Sequence, residues 1–167
     1  MTNKEKYIVE NVAFNARKTS IDKDIISKET TSLSIEDVRR IIISFGGELE
    51  EEKEKRPTRL VKTDERKFTI FYRPNAPILD ILHELGHAFF DLHDMKIGNE
   101  LPCDGVETLD LRASLFARAY IMSRDEFENI VIRCSRDGIC DVQRVAEIYN
   151  VDYFSVLIRG EELNIWG

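Results

Sequence analysis

Long apolar runs are missing from this chain of 167 residues, and so is any excess of positive charge. No stretch approaches the eighteen or so apolar residues needed to span a bilayer. The opening residues, MTNKEKYIVENVAFNARK, lack the continuous apolar core of a secretory signal. Lysine and arginine number 24 against 31 aspartates and glutamates, a formal charge of −7. That balance argues against nucleic acid or an anionic membrane as the main partner. Cysteine is scarce and odd in number, with Cys103, Cys134 and Cys140 outside any C-x-x-C spacing. Such thiols suit a reducing compartment, and the cytoplasm is the expected location. Internal repeats, low-complexity tracts and a phosphate-cradling glycine loop are absent too. What remains is 43% hydrophobic and 33% charged, the composition of a soluble globular chain with room for one compact domain and a small appendage.

Histidine is equally scarce, and its placement is not random. All three histidines fall between Asn75 and His93, in the stretch NAPILDILHELGHAFFDLH. Asn75 and Pro77 suit a helix start, as N-cap and first-turn proline. Ile78, Leu82, Leu85, Phe89 and Leu92 recur at helical spacing, which predicts one helix with a buried stripe. His83 and His87, four apart, lie on one face about 6 Å apart along the axis. With Glu84 beside the first they form H-E-x-x-H, two imidazoles for a metal ion and a carboxylate to take a proton from water.

Around this helix the sequence predicts an α+β arrangement. Residues 4–18 read as a first helix, followed by a polar connection to Leu33. Ser34 to Asp37 is a capping-box start to a helix carrying Val38, Ile41, Ile42 and Phe45, stopped by Gly46-Gly47. The charged run 48–56 reads as a solvated edge strand or loop. Two strands follow, Arg59–Thr63 and Lys67–Arg73, the second alternating Phe68, Ile70 and Tyr72 with Thr69 and Phe71. After the metal helix, a loop from Asp94 to Gly105 leads to a helix over Val106–Met122. Ser123 to Glu126 reads as a second capping box, opening a helix that runs to about Cys134 and ends in a loop over Ser135–Cys140. Two short helices close the chain. They could be mistaken for a DNA-reading pair, but Arg144 and Arg159 stand against Asp141, Glu147, Asp152, Glu161 and Glu162, an acidic balance unsuited to phosphate. The expected divisions are 1–33, a core over 34–134, and a helical module over 135–167 for packing or partner contact.

A catalytic zinc site usually takes three protein ligands. His93 has metzincin spacing, but Phe90 stands where that motif has its turning glycine. On a continuous helix His93 lies some 9 Å beyond His87 along the axis, out of reach, and reads as a helix-end residue near the C-terminal dipole. The alternatives are acids of the following helix, Glu107 and Asp110, on one face. Cys103 is a further thiol nearby.

The helix Asp110-Leu-Arg-Ala113-Ser114-Leu-Phe116-Ala117, continuing to Tyr120-Ile121-Met122-Ser123, resembles the second motif of the ImmA/IrrE-type metallopeptidases, E-x-x-A-N-x-F-A-x-x-L-L-M-P. His83 to His87 matches their H-E-L-G-H fully. Ala113, Phe116, Ala117 and Met122 match the second motif. Asp110 replaces its glutamate, Ser114 its asparagine, Tyr120 and Ile121 its leucine pair, and Ser123 its proline. The resemblance covers about residues 34–163. It implies a minimal zincin-like domain, a small antiparallel or mixed sheet packed on the H-E-x-x-H helix, with a helical C-terminal part. It also implies His83, His87 and Asp110 as ligands of zinc, or of manganese, and Glu84 as general base. Aspartate is one methylene shorter than glutamate, so its helix must sit closer; Glu107 is the spare.

Motifs and resemblance together imply a zinc metalloendopeptidase. Its peptide would lie along an exposed edge of the sheet that contains Lys67–Arg73, with Tyr72 or Tyr120 as oxyanion donors. The resemblance further implies a target among helix-turn-helix repressors of mobile elements or stress circuits, whose basic surfaces suit an acidic enzyme. A non-proteolytic, metal-stabilised module that sequesters a repressor is the alternative. Neither reading needs direct contact with nucleic acid or membrane.

Overall fold

Two capping boxes open the first two helices. In α1 (Asn3–Asp22) the Thr2 hydroxyl accepts from the Glu5 backbone N–H, and the Glu5 carboxylate accepts from that of Thr2. In α2 (Ile35–Ser44) Ser34 and Asp37 repeat the exchange, as their spacing predicts. The computed structural model describes residues 1–54, 56–101 and 107–166, the side chains of Glu107 and Thr108 excepted. α1 runs a turn beyond its expected end at Lys18.

Gly46 ends the α2 turn at φ +87°, a conformation open to glycine, and sends the chain into β1 (Gly47–Glu51). Gly47 and Leu49 point inward and the glutamates outward, so part of the acidic run is a solvated edge strand. β2 (Arg59–Asp64) and β3 (Lys67–Tyr72) follow. The sheet order is β1-β3-β2, with β3 parallel to β1 and antiparallel to β2. Leu49, Leu60 and Ile70 stand abreast across the three strands and are buried.

From β3 the chain turns through Asn75, at φ +63°, into α3 (Ile78–Phe90). The expected start is corrected here. Pro77 occupies the cap position without any side-chain cap, and Asn75 serves the turn instead, where its tolerance of left-handed backbone is used. Ile81, Leu82 and Leu85 of α3 enter the core with Ile41, Ile42, Leu60 and Ile70. The helix stops at Phe90, because the chain departs from helical geometry at Asp91 (φ −122°), and a single 3-10 turn covers Leu92–Asp94.

Among the described residues four more helices follow: α4 (Glu107–Ile121), α5 (Arg124–Arg133), α6 (Val142–Tyr149) and α7 (Tyr153–Glu162). The segment read as a loop over Ser135–Cys140 is a minimal hairpin, β4 (Ser135–Arg136) paired with β5 (Ile139–Cys140). The capping box expected at Ser123–Glu126 does not form. Ser123 makes no side-chain cap bond; its hydroxyl faces Glu126, whose carboxylate is taken by Arg17 at 3.1 Å. A distant arginine outcompetes the local cap. Among the described residues this is an α+β fold, with no helix long and apolar enough to cross a membrane.

Two buried arginines clamp the end of α4. Arg17 of α1 donates to the Tyr120 carbonyl at 3.0 Å and to that of Thr30 at 2.8 Å. Arg159 of α7, fully buried, donates to the Met122 carbonyl at 2.9 Å and pairs with Glu10 of α1 at 3.0 Å. Buried charge is tolerated only when paired in this way. The first and last helices thereby hold α4 against α3.

Candidate metal centre and its cleft

Gly86 lies at the crossing of α3 and α4. A Cβ there would stand 2.9 Å from the Ala113 Cα and 3.0 Å from its carbonyl oxygen, so only glycine lets the helices approach this closely. The close crossing lets the short side chain of Asp110 reach the α3 histidines. His87 Nε2 lies 3.0 Å from His83 Nε2 and 3.3 Å from Asp110 Oδ1, and His83 Nε2 is 3.7 Å from the same oxygen. Tetrahedral ligands about 2.0–2.1 Å from zinc stand roughly 3.3–3.4 Å from one another. The three separations bracket that spacing.

Each imidazole is oriented by its other nitrogen. His87 Nδ1 is 2.7 Å from Asp91 Oδ2, and Asp91 is held in turn by Arg112 at 2.8 Å. His83 Nδ1 is 3.0 Å from the Ser114 hydroxyl. With both Nδ1 atoms serving as donors, both Nε2 atoms offer lone pairs to the same point as the Asp110 carboxylate. Three acceptors converging there could hold a cation, and a donor set of two imidazoles and one carboxylate suits zinc.

Burial pushes His83 down to about 4, with the neighbouring His87 charge acting in the same direction. Burial also pulls His87 down. The Asp91 hydrogen bond and the charges of Glu84, Asp91 and Asp110 outweigh it, and His87 is raised. Glu84 is pushed up to about 7, chiefly by burial, against the favourable influence of His87. It is half-buried and outside the ligand triad, beside Leu60 of β2. Glu84 therefore sits where a carboxylate exchanges protons near neutral pH.

A cleft of about 450 Å³ opens beside this point, bounded by Pro57, Arg73, Asp80, Glu84, Ser114 and Asp152. On the other side a hollow of about 130 Å³ brings Arg59, Leu60 and Leu101 against the same histidines, Glu84 and Asp110.

His83, Glu84, His87 and Asp110 thus come together. The side chain of Glu107, the spare candidate, and Cys103 lie outside what the structure describes. His93 is 98% exposed and meets Asp94 alone. It misses the site, but for a reason other than the one expected: α3 ends before it, at Phe90, where a continuous helix was expected to carry it past. Neither tyrosine reaches the cleft. Tyr120 is buried with its hydroxyl 2.8 Å from that of Ser20, and burial pushes it up to about 12. The Tyr72 hydroxyl lies between Arg39 and Glu51. Sequence reasoning missed Asp91 and Ser114, although each stands four residues after a candidate ligand, His87 and Asp110 respectively, Ser114 within α4 and Asp91 at the end of α3. That spacing was the available signal. The chain matches no protein-family model, and no curated protein matches it.

Proposed function

We propose that the chain is a zinc-dependent metalloendopeptidase of zincin-like architecture, with His83, His87 and Asp110 as ligands and Glu84 as general base. The observation that carries the proposal is the separation of roles. Three lone-pair donors meet at tetrahedral spacing, while a fourth group, Glu84, faces the cleft without joining them. A carboxylate there is not needed to hold the ion, but it is what hydrolysis requires.

Bound zinc supplies a Lewis acid for the scissile carbonyl. Glu84 takes a proton from the attacking water and passes it to the leaving nitrogen. Its raised affinity for protons helps it hold that proton between the two steps. Asp91 and Ser114 keep the imidazoles turned toward the ion.

For the target class we propose an intracellular helix-turn-helix repressor, in keeping with the resemblance to ImmA/IrrE-type enzymes and with an acidic surface that attracts basic domains. The test is to incubate zinc-loaded protein with repressors encoded beside its gene and to read fragments by mass spectrometry. Glu84→Gln should retain the metal and the fold while losing cleavage. Cleavage by Glu84→Gln at the parental rate refutes the mechanism.

A further inference from the structure

A sheet edge beside a metal centre is where an extended peptide adds as a further strand, its backbone groups satisfied by those of the edge. In this sheet β3 is central, so the free edges belong to β1 and β2. Only β2 borders the candidate centre, through Arg59 and Leu60. That edge already carries a strand of the chain itself. Val61 and Glu100 form an antiparallel bridge. The Gly98 N–H donates to the Lys62 carbonyl at 2.8 Å, the Lys62 N–H to that of Asn99 at 3.4 Å, and the Leu101 N–H to that of Leu60 at 3.4 Å. Leu101 enters the hollow that holds His83, Glu84, His87 and Asp110.

We propose that Gly98–Leu101 is an intramolecular strap lying in the backbone-binding site of the substrate, and that an extended polypeptide must displace it from the β2 edge. The proposal rests on the peptidase reading above and names a regulation of the same site. Only one chain can use the outward groups of Leu60 and Lys62. Those groups are occupied in the antiparallel sense, and an added strand would need the same groups.

The strap is built to come away. Gly98, Asn99 and Glu100 are exposed and only Leu101 is half-buried, so little apolar surface holds it. Two of its three backbone bonds are long. Gly98 sits at φ +83° with open space around it. The remaining attachments are polar: Lys62 Nζ on the Met95 carbonyl at 3.0 Å, and Glu100 with Arg59 at 2.9 Å and Arg56 at 3.1 Å. Ion pairs with one partner in solvent contribute little and are screened by salt. Glu100 is therefore the latch, and a basic segment approaching the edge would compete for it.

Val61 and Glu100 form a non-hydrogen-bonded antiparallel pair, whose Cα atoms stand about 4.5 Å apart, within the span of a disulfide. The double variant Val61→Cys/Glu100→Cys can therefore be locked by oxidation and released by reduction. Binding of fluorescein-labelled casein, an unfolded polypeptide, is read by anisotropy on zinc-loaded full-length protein in a Glu84→Gln background; cleavage is read with Glu84 intact. Parent protein passes through the same redox cycle as control for its own cysteines. Both the reduced double variant and Glu100→Gln should bind casein about two- to fivefold more tightly than parent, since a strap without its latch competes less. The oxidised form should bind no better than parent, and reduction should restore it. Equal binding in locked and released forms overturns the strap, as does absence of binding in every form. Binding that follows the latch without cleavage would retain the strap and discard the hydrolase; cleavage that ignores the latch would do the reverse.

Discussion

His87 shows how one residue is prepared as a candidate ligand. It is 2% exposed, and an imidazole in that position is costly unless both nitrogens are used. Asp91 takes Nδ1 and leaves Nε2 to face His83 and Asp110. Asp110 comes to the same point from the other helix and is 57% exposed, so the site stays open to solvent on its side. His93, fully in solvent, is no part of it. Asp110→Ala should therefore lose most bound zinc, and His93→Ala should keep it. Atomic emission on the two purified variants decides between them, and loss of metal in His93→Ala with retention in Asp110→Ala would overturn the ligand assignment.

At the scale of elements, the close crossing of α3 and α4 governs the reach of Asp110. A methyl at Gly86 must meet the backbone of Ala113, which cannot rotate aside. The better helix propensity of alanine, worth up to about 1 kcal/mol, opposes an overpacking cost of roughly 1–3 kcal/mol. Gly86→Ala should be net destabilised. As its helices part, it should also bind zinc at least about tenfold more weakly, since a 1 Å displacement of a ligand is poorly tolerated. Thermal melting and a zinc titration on the same sample report the two effects separately. The start of α2 offers a different test. The Ser34 backbone N–H, aided by the Ser34 hydroxyl and Arg40, holds the Asp37 carboxyl below its ordinary 3.8 against a smaller cost of burial. A depressed acid stabilises the fold above its unfolded value and loses that contribution as pH falls through the lower, folded one. Asp37→Asn should thus cost about 1 kcal/mol at neutral pH, the usual worth of a cap interaction. The difference from parent should shrink below about pH 4. Denaturant melts at pH 7 and pH 3 give both values.

Over the whole molecule, the ends of the chain position its middle. α1 and α7 meet at Glu10 and Arg159, and through the Met122 carbonyl they grip the end of the helix that carries Asp110. Arg159→Met keeps much of the volume but removes the donor from a buried carbonyl and the partner of Glu10. Breaking a buried pair costs about 3–5 kcal/mol, and at this chain length each kcal/mol is worth roughly 2–4 °C of Tm. A drop of about 6–20 °C is expected by calorimetry, with zinc still binding below the transition. An unchanged Tm would show that the terminal helices do not support α4 energetically.

What the amino-acid order determined by itself was local. Periodicity marked α3, alternation marked β3, the Ser34–Asp37 spacing marked a cap, and four-residue spacing put His83 and His87 on one face. Each depends on residues within a turn or two of one another, so nothing distant was needed to read them. The preference for Asp110 over Glu107 as candidate ligand came only from family resemblance, because its side chain meets the histidines where two helices cross at Gly86 and Ala113. Tertiary structure alone decided that β1 lies parallel to β3, that Arg17 takes Glu126 from the expected cap at Ser123, that neither tyrosine faces the cleft, and that Gly98–Leu101 covers the β2 edge. The reason is common to all four. Each is a competition between partners far apart in sequence, settled by which groups the packed core leaves within hydrogen-bonding distance.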